Sequence, residues 1–299
     1  LAEWKNEKGI MTKVFEVGKN VTDLETADEI DAFIHDRYNK TQIKASYILL
    51  FGDSNLIPPF LVNRFNTDFD GDIGTDWPYA HMPNNDPNAL AVPTFAVGRI
   101  PVGGPSTAAD VTAKLIAYEK TPPGTPGVDP FYENVTLATE FQCCRLDADE
   151  GTAQRTFAEI SEFVRDILVA DGYNVERIYR ETVDNGCNTC NPVRAPYLGD
   201  TTPRYFYDGT PVGSDIGPGS GFGWDGSSTD ITDAFNEGRF LMMHRGHGSP
   251  SQWIDPKYTT TRVTNLLTNA PFFPVVFSIN CSSGLFDDEA HPGAEGTSP

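Results

Sequence analysis

Basic residues are scarce in this sequence, and it has no long apolar run. Lys and Arg number 22 against 42 Asp and Glu, which gives a formal charge of −20. Such an acidic chain repels the phosphates of nucleic acids and the anionic face of a membrane, so neither is an expected partner. The richest apolar stretches, 45–51 and 272–279, are strand-sized. A spanning helix needs about 20 apolar residues, so no membrane-spanning segment is predicted.

Cysteine is infrequent, and its number is odd. Five cysteines leave one unpaired if the other four form disulfides. Hydrophobic residues make up 39% and aromatics 11% of the 299 residues, which excludes the disordered acidic class. The 27 Gly and 23 Pro predict long ordered loops. The length suits one large α/β domain or two packed lobes.

Helical and strand patterns alternate along the chain. Helical spacing begins at Asp23 and recurs over 106–119 with Ser106 as N-cap, over 157–168, over 228–236 with Ser228 as N-cap, and over 261–269. Apolar or alternating runs predict strands over 45–51, 92–100, 134–139, 174–179, 239–244 and 275–279. This alternation predicts an α/β fold with a mostly parallel sheet and helices on both faces. The Pro- and Gly-rich stretch 121–130 predicts a boundary between two lobes.

Two of the predicted strands lead into loops with reactive side chains. Strand 239–244 is followed by Gly246-His247-Gly248-Ser249, and strand 275–279 leads through Asn280 to Cys281. Both loops are expected at one edge of the sheet, because sites in parallel sheets lie past the carboxyl ends of the strands. A cysteine nucleophile needs a base to take its proton, and imidazole suits that task at neutral pH. The sequence therefore predicts Cys281 as nucleophile and His247 as base.

The glycines beside His247 predict an oxyanion hole. They allow a tight turn with exposed amides, and the N–H groups of Gly248 and Cys281 are the expected donors. Each reactive residue also has an ordinary interpretation, since a strand-end cysteine is commonly a small buried apolar residue and a histidine between glycines a turn residue. Their occurrence at matching strand ends favours catalysis. His244 is a rival base, but it belongs to the strand end and lacks flanking glycines.

Around these residues the sequence resembles the gingipain family of cysteine peptidases, family C25 of the caspase-like clan. The family has a Gly-His-Gly-Ser loop with a Trp four residues after the Ser, here 246–249 and Trp253. It also has a Cys after an apolar strand, followed by Gly and Phe, here Cys281, Gly284 and Phe286. Upstream matches occur in the family's order and cover nearly the whole chain. They are Leu1 to Lys5, Leu49 to Asp53 with Ile57 and Pro58, Asp76 with Tyr79, Val97 to Pro101, and Tyr118 with Glu119.

The resemblance implies a caspase-like α/β fold, a three-layer sandwich with mostly parallel sheets in two subdomains. It implies an N-terminal subdomain over 1–120, a linker over 121–130 and a catalytic subdomain over 131–299. It also implies that the chain is a fragment, because the family's opening strand and the segments after its catalytic cysteine are missing. The family consists of secreted or cell-surface endopeptidases, which is the localisation expected here.

The resemblance also implies roles for single residues. His247 would be general base and acid, Cys281 the nucleophile, and Glu140, at the end of a strand, would orient or polarise His247. A solvated carboxylate is the alternative interpretation of Glu140. Gingipains that prefer basic residues carry an acidic residue in the S1 pocket, but the match is poor over 142–157. Cleavage after Arg or Lys is therefore not predicted, and no pocket role is assigned to Asp147, Asp149 or Glu150.

An acidic loop over 67–76 predicts a calcium site. Its carboxylates would repel one another unless a cation lies among them, and Ca²⁺ prefers hard oxygen ligands. The loop is not an EF-hand, because Tyr79 stands where that motif has its last Glu. Gingipain-like domains bind structural calcium, which favours calcium over a merely solvated loop. The expected ligands are Asp68, Asp70, Asp72 and Asp76.

The remaining four cysteines form the pairs Cys143-Cys144 and Cys187-Asn-Thr-Cys190. In the extracellular protein that the resemblance implies, two disulfides are the favoured interpretation. Pairing across the two loops is expected, because adjacent cysteines seldom bond each other. A zinc site and a redox Cys-x-x-Cys motif are the alternatives.

Together these features predict a secreted or cell-surface cysteine endopeptidase. It would act on protein or peptide substrates through a thioester acyl-enzyme, with structural calcium and no organic cofactor. The alternative is a catalytically inactive caspase-like module for calcium-dependent binding or surface assembly.

Overall fold

The computed structural model describes residues 1–17, 21, 24–62, 73–82, 92–125, 127–143, 151–183 and 203–286. The chain divides into two units, Leu1–Thr121 with Leu285 and Phe286, and Pro122–Gly284. The division falls at the start of the Pro- and Gly-rich stretch. The roles predicted for the two subdomains stay predictions. Every helix in the described ranges is too short or too polar to span a bilayer.

The first unit contains one parallel and one antiparallel pair of strands. Its elements are α1 (Ala2–Glu7), α2 (Ala27–Lys40), β1 (Tyr47–Phe51), β2 (Phe60–Val62), β3 (Ile73–Thr75), a 3₁₀ helix (Trp77–Ala80), β4 (Ala96–Ile100) and α3 (Pro105–Lys120). β1 pairs in parallel with β4, and β2 pairs with β3 in antiparallel fashion. Ile30 of α2, Leu50 of β1 and Tyr79 form its buried centre.

The second unit is built on a four-stranded parallel sheet. Its elements are a 3₁₀ helix (Pro130–Glu133), β5 (Asn134–Cys143), α4 (Phe157–Ala170), β6 (Asn174–Val183), α5 (Ser228–Glu237), β7 (Leu241–Arg245), β8 (Gly248–Ser249), β9 (Gln252–Trp253), β10 (Tyr258–Thr259), α6 (Thr260–Leu266) and β11 (Val275–Ile279). The strand order is β11-β7-β5-β6, and every pairing is parallel. The short strands β8, β9 and β10 form a separate antiparallel sheet.

Helices cover both faces of the four-stranded sheet. Successive side chains of a strand point to opposite faces, so neighbouring residues of one strand pack against different helices. Leu137 and Met243 pack on one face with residues of α4 such as Ala158. Ala138 and Met242 pack on the other face with Ile231 of α5. The predicted α/β class with a mostly parallel sheet is therefore confirmed.

The boundaries of two helices differ from the predicted ones. Ser227, not Ser228, caps α5: its Oγ accepts from the Asp230 N–H, and the Asp230 carboxylate accepts from the Ser227 N–H at 2.8 Å. Ser106 does not cap α3 either, because the helix begins at Pro105. Proline is favoured at a first helical position, where the N–H that it lacks has no partner within the helix.

Two predicted segments are longer than the elements observed. The strand predicted over 92–100 is confined to Ala96–Ile100, and Val92 is exposed. The helix predicted over 261–269 ends at Leu266, because Leu267 is in an extended conformation.

Candidate active site

Three strands of the second unit bring the predicted site residues to one edge of the sheet. In the parallel register, Arg245 at the end of β7 lies opposite Ile279 at the end of β11 and opposite Thr139 of β5. The chain continues from β7 into the loop of His247 and from β11 into that of Cys281. β5 continues past Thr139 at the carboxyl ends of these strands. The two loops meet as the predicted parallel sheet requires.

Gly248, which follows His247, is in direct contact with the cysteine loop. A methyl group on its Cα would lie 2.2 Å from Oδ1 of Asn280 and 2.6 Å from the carbonyl oxygen of Cys281. Both distances are below any ordinary non-bonded contact, so only glycine allows the two loops to approach this closely. Cys281 is exposed and carries a free thiol. Ser282, directly after it, has a left-handed backbone with φ of 57°.

The imidazole of His247 is held by a residue that the sequence did not identify. Its Nε2–H donates to Oε1 of Gln142 at 2.9 Å. The ring also meets Phe157 edge-on, with centroids 5.3 Å apart. Because a carboxamide oxygen can only accept, the neutral imidazole carries its proton on Nε2 and its lone pair on Nδ1. Nδ1 is therefore the atom that can accept a proton from a thiol.

Glu140 contacts the backbone of His247. It is fully buried, and its Oε2 accepts from the His247 N–H at 3.3 Å. Its Oε1 accepts from the hydroxyl of Thr182 at 2.6 Å. Glu140 thus fixes the position of the loop, while Gln142 fixes the direction of the ring. The two-residue period of β5 puts Glu140 and Gln142 on the same face, and this was the signal that could have identified Gln142.

We expect Gln142→Leu to lower kcat/KM by about 10- to 100-fold, with the fold retained. The bond to Nε2 gains strength when the imidazole becomes charged, and charged hydrogen bonds contribute about 1.5–3 kcal/mol. Steady-state kinetics on a cleaved peptide measures the change. Gln142→Glu, which keeps an acceptor oxygen, should retain more activity than Gln142→Leu. Equal activity of Gln142→Leu and the unaltered chain would contradict the role given to this bond.

His244, the rival base, is fully buried. Its ring stacks on Trp253 with centroids 4.5 Å apart and an interplanar angle of 6°. Burial, helped by the nearby Arg245 and His247, lowers the pKa of His244 to about 3. Its Nε2–H donates to the carbonyl of Asp255 at 3.2 Å, and its Nδ1 accepts from Asn280 at 2.7 Å. With both nitrogens engaged inside the protein, His244 is not placed to act on a substrate.

Asp76, one of the predicted calcium ligands, binds an arginine instead. Its two oxygens accept from Nε and Nη2 of Arg99, both at 2.7 Å. The guanidinium compensates the carboxylate charge of Asp76, and the role of Asp76 as a calcium ligand stays a prediction. The ligands Asp68, Asp70 and Asp72 lie outside the described residues. Within the described ranges, no group of three or more His, Cys, Asp or Glu could hold a metal.

The predicted disulfide cysteines are largely outside the described part of the chain. Cys144, Cys187 and Cys190 lie outside it, and only the backbone of Cys143 is described, as the last residue of β5. Their pairing and the zinc alternative therefore stay predictions. Asp147, Asp149 and Glu150 also lie outside the described residues.

Comparison with known proteins relates the chain to one family over its whole length. The model of Peptidase family C25 matches residues 1–297. Gingipain R2 of Porphyromonas gingivalis is 24% identical over 286 residues, which is 95% of this chain and 30% of that protein. An uncharacterized protein of Archaeoglobus fulgidus is 26% identical over 272 residues, which is 86% of this chain and 54% of that protein. The chain thus spans less than a third of gingipain R2.

Solved structures agree with this relationship. The crystal structure of the Arg specific cysteine proteinase gingipain R has a TM-score of 0.65 to this chain at 22% identity, and the match covers 95% of this chain and 51% of that one. The complex of the Porphyromonas gingivalis RgpB pro- and mature domains has a TM-score of 0.62, also at 22% identity, and the match covers 94% of this chain and 51% of that one. These likenesses confirm the predicted gingipain-like α/β fold.

Proposed function

This chain belongs to peptidase family C25, and from that membership we propose that it hydrolyses peptide bonds with Cys281 as nucleophile and His247 as proton carrier. One observation carries the proposal: Gly248 lies against the carbonyl oxygen of Cys281. That contact brings the histidine loop next to an exposed, free thiol. A nucleophile beside a base that is itself oriented by a third group is the pattern of covalent catalysis.

The first half of the proposed reaction forms an acyl-enzyme. Nδ1 of His247 accepts the proton of the Cys281 thiol, and the sulfur attacks the carbonyl carbon of the scissile bond. The negative charge on the carbonyl oxygen is stabilised by the N–H groups of Gly248 and Cys281. The imidazolium then returns its proton to the leaving amine as the C–N bond breaks. A thioester on Cys281 and a free amine result.

The second half hydrolyses the thioester. His247 takes a proton from a water molecule, whose oxygen attacks the thioester carbonyl carbon. When the C–S bond breaks, the imidazolium returns the proton to the sulfur, and the carboxylic acid leaves. Gln142 stabilises the charged ring in both halves through its acceptor oxygen, 2.9 Å from Nε2. Glu140 keeps the loop in place through the His247 N–H.

We further propose protein or peptide substrates and a secreted or cell-surface location, as for the gingipains. The arginine specificity of gingipain R is not carried over to this chain. The nearby acidic residues, to which no pocket role is assigned, lie outside the described residues: they are Asp147, Asp149 and Glu150. Structural calcium and two disulfides stay predictions.

The rate of alkylation of Cys281 tests the proposed dyad. At pH 6.5 an isolated thiol, with a pKa of about 8.5, is only about 1% ionised. A thiol that can pass its proton to His247 should react with iodoacetamide at least about tenfold faster. Peptide-level mass spectrometry follows Cys281 in the native chain, with His247→Ala as the matched variant. If Cys281 reacts equally slowly in both proteins, the proposal is wrong and the non-catalytic module is favoured.

A further inference from the structure

The side chain of Asn280, directly before Cys281, is held from two directions. Its Nδ2 donates to Nδ1 of His244 at 2.7 Å and to the hydroxyl of Ser278 at 3.1 Å. Its Oδ1 faces Gly248, where it would lie 2.2 Å from an added methyl carbon. A primary amide has two hydrogens, and both are used. Asn280 is therefore fixed between the buried imidazole and the loop of His247, and its amide has no hydrogen left for a substrate.

The hydroxyl of Ser278 connects residues on both sides of Cys281 by hydrogen bonds. Its Oγ accepts from the indole N–H of Trp253 at 2.8 Å and lies 3.0 Å from Oγ of Ser283. Trp253 in turn stacks on His244. The residues before and after Cys281 are thus connected to β7 and β9 through one set of hydrogen bonds. We call His244, Trp253, Ser278, Asn280 and Ser283 the support network.

His244 is the member of the support network that links it to the rest of the site. Its Nε2 binds the carbonyl of Asp255. The same nitrogen would lie 3.2 Å from a methyl group on Gly246, the residue before His247. One imidazole thus lies beneath the histidine loop and holds the cysteine loop through Asn280. Only the neutral ring can do both, because Nδ1 must accept while Nε2 donates.

We propose that His244 is a positioning residue for the peptidase reaction, which through Asn280 holds Cys281 opposite His247. The inference rests on the proposed function, because it assigns a supporting role within the same site. Its physical basis is the sensitivity of catalysis to geometry, since a displacement of about 1 Å between reacting groups can cost about 100-fold in rate. His244 touches neither substrate nor thiol in this role.

The test compares two replacements of His244. His244→Phe keeps a flat ring against Trp253 but loses both hydrogen bonds. His244→Asn places an amide oxygen near the position of Nδ1, where it can still accept from Asn280. We expect His244→Phe to lower kcat by about 100-fold with little change in KM, and His244→Asn to restore part of the loss. Peptide hydrolysis and thermal unfolding are measured for both variants.

Alkylation separates positioning from general stability. In His244→Phe, iodoacetamide should modify Cys281 with the pH dependence of an isolated thiol, because the sulfur no longer meets His247. If His244 were needed only for folding, its replacement would lower the melting temperature and leave the pH dependence of Cys281 alkylation unchanged. Asn280→Leu breaks the same link without altering the buried ring, so it serves if His244→Phe does not fold. The double variant His244→Phe/Asn280→Leu should lose no more kcat than the poorer of the two single variants, because the two residues act as a unit.

The outcomes distinguish this inference from the proposed function. If a folded His244→Phe keeps kcat and the alkylation profile of the unaltered chain, the positioning role is wrong. Additive losses in the double variant would also overturn it. If the unaltered chain itself shows the profile of an isolated thiol and cleaves nothing, the proposed function fails, and this inference fails with it.

Discussion

Replacing Cys281 by alanine is expected to lower kcat/KM for peptide hydrolysis by at least about 10⁴-fold. The variant keeps the substrate-binding surface but has no atom that can form the acyl-enzyme. Because Cys281 is exposed and forms no disulfide, the free energy of unfolding should change by no more than about 0.5 kcal/mol. Hydrolysis of a peptide selected from a positional library, together with urea unfolding, measures both quantities.

The partner of Cys281 provides the control for this experiment. His247→Ala should cause a loss of similar size, and the double variant should lose no more than the poorer single variant. Residues that act as one unit in catalysis show this lack of additivity. Equal cleavage by the unaltered chain and by Cys281→Ala would show that Cys281 is not the nucleophile.

Gly248→Ala should lower kcat/KM by about 100-fold, the cost of moving reacting groups apart by about 1 Å. The added methyl would lie 2.6 Å from the backbone oxygen of Cys281, which cannot turn away as a flexible side chain can. The two loops must separate to admit it. The same kinetic assay measures the loss, and circular dichroism establishes that the variant is folded.

A glycine with open space around it provides the control for this loss. At Gly98 of β4 a methyl group would meet no atom within 4 Å, so Gly98→Ala should leave hydrolysis unchanged. A folded Gly248→Ala with activity within twofold of the unaltered chain would mean that the loops do not need this close approach.

The sequence predicted the sheet well because a parallel α/β sheet leaves a local pattern. Apolar strands alternate with amphipathic helices, and a reactive residue after a strand end can be placed at one edge without knowledge of the strand order. That is why the loops of His247 and Cys281 were expected together. The capping of α5 was also readable, since the spacing of Ser227 and Asp230 is that of a capping box. The prediction chose Ser228 because it ignored the carboxylate three residues after Ser227.

Contacts between distant parts of the chain were not predictable in the same way. Gln142 binds the ring of His247 only because β5 and β7 are neighbours, and its own surroundings in the sequence contain no motif. Asp76 was read with the acidic residues next to it, but the folded chain pairs it with Arg99 on β4. His244 was judged only as a rival base, because its contact with Asn280 depends on the pairing of β7 with β11.

The two halves of the candidate site are anchored in strands that differ in burial. β5, which provides Glu140 and Gln142, has a neighbour on each side, and both residues are buried. β11, which leads to Cys281, ends the strand order of the described sheet, and all five of its residues are exposed. Segments with few buried contacts open more often than the core. Transient release of β11 would separate the thiol from its base while the core stays folded, so activity should disappear before global unfolding begins.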